Sequence, residues 1–423
     1  MKILVNILFF LIIFNFPVPG LYNSLIVAIL IITGVYLRKG AKNKDALLLL
    51  KIIKTSQFYI IVLSYLFLFF ITYLWAIAHQ TNDFTSIKGM FLCFIAVIIS
   101  VLYIPLAVNH LFETDDYVVE FSKLIVRLFV VQSIIQIMAF VEPSVAELVM
   151  LFRREKIQDL NYGGIRGLAL TGNPFFRLSG GYGLSYICFF YLYFSKKIKY
   201  ATIIFVLLFI GSFFAGRTAF IGLALAIVSY VIYSFVEARF LFVNIFRFLI
   251  LIIIIISGVL LVYNIFVPEN IRAIVDEKLL PYAFEFVYNY QNTGELTTSS
   301  SDHLNEMYFP ISDDTLLYGD ARYTADNGKS YYKHTDAGYM RNTLFYGVLG
   351  LIYLILAQII TFRNVLFSKI KINNKLYFLF ILLFAFILHY KGEILLSSPL
   401  YQSIIVVFSF SYLFKRKSLI CQN

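Results

Sequence analysis

Charge is what this chain lacks first: Asp, Glu, Lys and Arg make up only 14% of its 423 residues. A soluble domain carries about a quarter charged residues, so an ordinary soluble protein of this size is excluded. Cysteine is equally sparse. Cys93 and Cys188 lie in apolar runs and Cys421 in the tail, without the spacing of a disulfide framework or a thiolate metal site, and they read as inert filler. The acidic pairs Asp115-Asp116 and Asp313-Asp314 have no companion ligands; they read as solvated loop charge, and no metal and no cofactor is expected. The apolar runs do not alternate with polar residues, which excludes the strands of an outer-membrane barrel. There is also no internal or inverted repeat of the kind many transporters carry.

What is there is apolar bulk, at 60% hydrophobic residues. A bilayer core takes about 20 apolar residues per helix, and in hydrocarbon the backbone must satisfy its own hydrogen bonds. The expected fold is therefore an all-α polytopic membrane protein, one membrane domain over 1–423. Apolar windows between turn and charge signals place about twelve transmembrane helices near 3–16, 21–37, 57–78, 88–109, 119–141, 179–195, 200–216, 217–236, 245–266, 337–361, 376–391 and 399–414. The first is expected to be retained, because no small-x-small cleavage site follows it, only Pro17-Val18-Pro19-Gly20.

The formal net charge of +11 is explained by cytoplasmic Lys and Arg without a nucleic-acid partner. With both termini in the cytoplasm, Ser195-Lys196-Lys197-Ile198-Lys199 and the tail Lys415-Arg416-Lys417 both fall inside, as the positive-inside rule requires. Two large outer-face loops result, 142–178 and 267–337. The first opens with an interfacial helix after Pro143, apolar at Val145, Leu148, Val149 and Phe152, and continues into a Gly/Arg segment. The second opens with an amphipathic helix after Pro268 and is rich in tyrosine. No cytoplasmic connection is long enough for a nucleotide-binding domain, so chemistry is expected on the outer side.

Four stretches could carry that chemistry. His334-Thr335-Asp336-Ala337-Gly338-Tyr339-Met340-Arg341 crowds ionisable groups at a membrane boundary, and a helix starting near Thr335 would aim them into the bundle; Thr335 or Asp336 acting as an N-cap, with Arg341 snorkelling, is the plain alternative. Gly163 to Arg177 is an irregular segment containing Arg166, Asn173 and Arg177. Its glycines allow close backbone approach, and guanidinium forks match phosphate oxygens, with lipid headgroups as the alternative partner. Gly216-Arg217-Thr218 reads as a two-helix turn at the outer face, where an arginine is costly unless paired or facing a cavity. Lys391-Gly392-Glu393 is a polar knot at a helix end, possible also as a plain Lys–Glu pair. Tyr323, Tyr331 and Tyr332 offer flat apolar faces with a polar edge, or anchor the loop in the interface.

These stretches, in this order, resemble the Wzy-type O-antigen and capsular polysaccharide polymerases, and more distantly the O-antigen ligases. The resemblance covers about 160–395: an Arg-Gly outer segment running into Asn173-Pro174, the Gly216-Arg217-Thr218 turn, and a long loop ending in His334 to Tyr339 before Gly347 and Gly350. It implies a GT-C-like glycosyltransferase in the bacterial inner membrane, acting on undecaprenyl-diphosphate-linked oligosaccharides with a flippase and a chain-length co-polymerase as partners. In that frame Arg166, Arg217 and Arg341 neutralise the leaving diphosphate, and His334 or Asp336 serves the acceptor hydroxyl. Arg177, Asn173, Tyr339, Tyr323, Tyr331, Tyr332, Lys391 and Glu393 bind substrate. An O-antigen ligase or a lipid-linked oligosaccharide flippase stays open as an alternative.

Overall fold

The computed structural model describes residues 2–39, 43–111, 116–153, 167–172, 175–236, 269–295, 297–325, 328, 330–367 and 372–411. Helices dominate these residues, and no strand longer than an isolated bridge occurs among them. In chain order the first ten are α1 (Lys2–Phe14), α2 (Ser24–Lys39), α3 (Asn43–Ile53), α4 (Ser56–Ala78), α5 (Thr85–Leu111), α6 (Tyr117–Val141), α7 (Pro143–Met150), α8 (Phe176–Phe194), α9 (Ala201–Ala215) and α10 (Thr218–Val236). A run of short helical segments from Glu269 to Ala283 leads to α11 (Glu285–Thr293), α12 (Ser299–Glu306) and α13 (Asp313–Tyr318). The last three are α14 (Gly338–Phe367), α15 (Ile372–Lys391) and α16 (Pro399–Ser409).

Eleven of the expected spans coincide with helices; the one at 245–266 lies outside the described residues. Six helices, among them α4, α6, α14 and α15, are long and apolar enough to cross a bilayer. The protein is thus a multi-pass membrane protein, and its lipid-facing surface is visible in α4, which leaves Leu63, Phe67 and Phe70 exposed.

The chain packs into two compact units, 1–124 with 303–423, and 125–302. In the second, α8 is buried from Leu178 to Leu192. Its glycines allow this: a Cβ on Gly222 of α10 would strike the Cα of Gly183, so the two helices touch backbone to backbone. Away from water, hydroxyls must find partners within the bundle. Tyr182 donates to Gln136 Oε1 at 2.6 Å, and Tyr186 pairs with Ser212 at 2.8 Å. The helix expected after Pro143 is α7. Its Val149 is buried against Ala139 and Leu168, while Leu148 faces outward.

In the first unit α16 packs along α5, and polar side chains tie α16 to its neighbours. Gln402 Nε2 donates to Gln358 Oε1 at 2.8 Å and to the Ile394 carbonyl at 2.9 Å. The connection 392–396 between α15 and α16 is therefore buried although it is not helical, a condition tolerated at membrane depth only where protein supplies the hydrogen bonds.

Candidate functional site

The site grows from a defect in α14. At Gly347 the backbone turns to φ 70° and ψ −178°, so the helix runs to Tyr346, breaks, and resumes. The break frees the carbonyls of Leu344 and Phe345, and the incoming chain takes them: Asp320 N–H donates to Leu344 at 2.6 Å and Ala321 N–H to Phe345 at 3.2 Å. Glycine is required on both sides of this contact. A Cβ on Gly347 would collide with the Leu317 carbonyl, and one on Gly319 would lie 2.5 Å from the Phe345 oxygen and 2.7 Å from the Gly347 nitrogen.

The segment docked there is held from a second side by the connection between α4 and α5. Trp75 Nε1 donates to the Tyr318 carbonyl at 2.6 Å, and Thr81 to the Ala321 carbonyl at 2.8 Å. Asp83 Oδ2 accepts the N–H of Tyr323 and of Thr324, each at 2.7 Å. A short antiparallel turn follows, with Thr324 bridged to Tyr331 and Tyr332 N–H donating to Tyr323. Asp320 fixes its far end, accepting from Thr315 at 2.7 Å and Tyr332 at 3.1 Å and pairing with Lys333 at 3.2 Å.

This turn presents two tyrosine faces to one cation. The Arg341 guanidinium carbon lies 3.6 Å from the centre of the Tyr323 ring and 3.8 Å from that of Tyr331. Its edge meets Glu393, at 3.4 Å, and Glu393 also accepts the Tyr323 hydroxyl. Both charged side chains are nearly buried, 9% and 5% exposed. Each cation–π face contributes about 2 kcal/mol when desolvated, and the carboxylate offsets a charge that burial alone would make prohibitive. The result is a rigid, delocalised cation where the long loop enters the apolar bundle, suited to anionic oxygens.

Behind the cation, α14 and α15 meet closely. A Cβ on Gly338 would strike the His389 carbonyl. His389 Nδ1 accepts the N–H of Ile394 at 3.1 Å and of Leu395 at 3.4 Å. The Asn342 side-chain amide nitrogen lies 2.9 Å from His389 Nε2. Tyr339 stacks edge-on against His389 with centroids 4.7 Å apart, its hydroxyl given to the Phe386 carbonyl.

Of the residues singled out in the sequence, the structure brings Arg341, Tyr323, Tyr331 and Glu393 into one contact set, with Tyr332 beside it on Asp320. Within the polar knot at 391–393, the buried Glu393 carboxylate meets Arg341, which the fold carries to it from another helix. The helix expected to start near Thr335 starts at Gly338, so His334 and Asp336 precede it, both exposed. Although Asp336 is exposed, the protein around it displaces enough water to raise its carboxyl above the ordinary 3.8, against the pull of Arg341 and His303. Arg166 and Asn173 lie outside the described residues.

Arg177 and Arg217 belong to the other unit. There Gly216 ends α9 at φ 133° and gives its carbonyl to Ser179 at 2.7 Å, which confirms the expected turn. Arg217 is paired with Glu285 at the start of α11, and Glu285 also accepts the Ser299 N–H at 2.8 Å. Burial raises the Glu285 carboxyl, but the Ser299 and Arg217 contacts outweigh it and hold the pKa below the ordinary 4.5. A depressed folded-state pKa means stability present above the unfolded value and lost as pH falls through the folded one. Melting temperatures of wild type and Glu285→Gln are expected to differ most near neutral pH and to converge below about 4; a constant gap down to pH 3 would mean that the charge of Glu285 contributes nothing.

Sequence reasoning assigned no site role to Trp75, Asp83, Asp320, Asn342 or His389, although Asn342 and His389 adjoin the stretches it singled out. Trp75 carried one signal, being the sole tryptophan of the chain, and Asp83 another, as the one carboxylate in a short break between two apolar runs. Comparison with known protein families, curated proteins and solved structures finds no match.

Proposed function

We propose that this chain is a polysaccharide polymerase of the bacterial inner membrane, with about twelve spans in a GT-C-like arrangement and both termini in the cytoplasm. It joins undecaprenyl-diphosphate-linked oligosaccharide units on the outer face. The observation that supports this reading most is the buried Arg341, gripped by Tyr323, Tyr331 and Glu393 where the long loop enters the membrane helices. A soluble anion has no need of such a position, whereas a lipid-linked diphosphate reaches the protein at that depth.

The chemistry follows from charge. The acceptor hydroxyl of one lipid-linked unit attacks the anomeric carbon of the growing chain with inversion; the bond from that carbon to the diphosphate oxygen breaks, and undecaprenyl diphosphate leaves with the electron pair. The hydroxyl proton passes to Asp336 or His334. The raised pKa of Asp336 brings its carboxylate closer to the basicity that proton transfer needs. The Arg341 guanidinium then stabilises the charge gathering on the departing diphosphate, and no metal is required.

The test is a gel of surface polysaccharide from cells lacking the protein, complemented by wild type or by His334→Ala at equal expression. The deletion is expected to leave single repeat units on the acceptor, wild type to restore the ladder, and His334→Ala to shorten it sharply. Uncapped acceptor with intact lipid-linked polymer would replace this reading by a ligase, and single units trapped on the inner leaflet by a flippase.

A further inference from the structure

We infer that Asp83, in the short connection between α4 and α5, is the positioning residue of the Arg341 site. The inference rests on the polymerase reading for its activity arm. Asp83 touches neither Arg341 nor Glu393 in the contacts described above; it acts on the backbone from which Tyr323 arises. Its Oδ2 takes the N–H of Tyr323 and of Thr324, each at 2.7 Å. Its Oδ1 takes the Thr85 N–H at 3.1 Å and the Thr85 hydroxyl. Thr85 Oγ1 in turn lies 2.8 Å from Thr324 Oγ1.

One carboxylate thus joins the N-terminus of α5 to the two peptide units that set the height and tilt of the Tyr323 side chain. That side chain has two duties: its ring covers one face of the guanidinium, and its hydroxyl fixes the carboxylate on the guanidinium edge. A shift of these peptides moves both contacts together. The supports from Trp75 to Tyr318 and from Thr81 to Ala321 act before Tyr323, and Tyr332 N–H holds the Tyr323 carbonyl from within the turn, so Asp83 is the clasp on the N–H groups of Tyr323 and Thr324. Charge-assisted acceptance of two backbone N–H groups is the strongest kind of clasp a single side chain supplies, and misplacing a binding group by about 1 Å costs on the order of 10²-fold in rate.

The distinguishing substitutions are Asp83→Ala, which removes the acceptors, and Asp83→Asn, whose remaining amide oxygen still reaches both N–H groups. Two readouts are taken on the full chain. Hydrogen–deuterium exchange of the solubilised protein reads the Tyr323 and Thr324 amides directly, and the polysaccharide ladder reads activity. In Asp83→Ala these amides are expected to exchange about tenfold faster or more while those of α4 do not change, with polymer formation down by roughly 10². Asp83→Asn is expected to stay within a few-fold of wild type in both. If Asp83→Ala does not fold, Asp83→Ser, whose short hydroxyl spans one amide at most, replaces it with the same expectations.

Unchanged exchange in Asp83→Ala would overturn the clasp, and faster exchange with an intact ladder would overturn its role in positioning. A deletion strain in which wild type restores no ladder is a different failure. It removes the polymerase reading and the positioning role with it, while the exchange data still show whether Asp83 holds the loop.

Discussion

Arg341→Ala is expected to abolish the polymer ladder, a loss of about 10² to 10³ in rate, and to lower the stability of the protein as well. The second effect comes from Glu393. Its side chain is 5% exposed, and with the guanidinium gone it is a buried carboxylate that has lost the cation it is paired with. Removing one partner of a buried pair costs about 3–5 kcal/mol. The two effects separate in the double variant Arg341→Ala/Glu393→Gln. Glutamine keeps the volume and an acceptor for Tyr323 but carries no charge, so thermal stability in detergent is expected to return while the ladder stays absent. If the double variant restores the ladder too, Arg341 is a structural ion-pair partner and the diphosphate must be met elsewhere.

The same pairing shows what the sequence could and could not disclose. Arg341, Glu393, Tyr323 and Tyr331 were each visible as polar or aromatic groups beside apolar runs, because a charged residue at a membrane boundary has to be explained. Their mutual contacts were not. Glu393 stood two residues from Lys391, and local spacing rules see only near neighbours; the guanidinium that claims it is brought by the packing of α14 on α15. The turn at Gly216, Arg217 and Thr218 was legible because a glycine and an arginine between two apolar runs leave few other options. The Glu285 that holds Arg217 was hidden among the polar residues of a long loop.

Both described arginines from that set, Arg217 and Arg341, hold a carboxylate in this structure. Sequence discloses a guanidinium but does not say which oxyanion it meets at rest. The role of Asp83 was illegible for a further reason. Its partners are peptide N–H groups, which every residue but proline has, so nothing in the side chains of Tyr323 and Thr324 points to it.

Gly347→Ala is expected to be severely damaging for a single added methyl group. Alanine at φ 70° costs about 1–2 kcal/mol, and its Cβ would meet the Leu317 carbonyl, a backbone atom that cannot rotate away. Two responses are open to the protein, and both remove the site. If the break persists, the segment around Leu317 must retreat, which takes Asp320 and Ala321 off the Leu344 and Phe345 carbonyls. If α14 instead closes into a continuous helix, those carbonyls are satisfied internally and the docked segment has no partner left. In either case the peptide that carries Tyr323 moves, and the guanidinium loses one ring and the fixed edge of Glu393. The control is Gly89→Ala in α5, where a Cβ meets nothing within 4 Å and helix propensity favours alanine by about 1 kcal/mol. Melting temperature and ladder are expected to be kept in Gly89→Ala and lost in Gly347→Ala. A Gly347→Ala protein with both intact would mean that the break does not position the site. A variant that melts normally but makes no polymer would place the continuous helix, and the displaced Tyr323, at the origin of the defect.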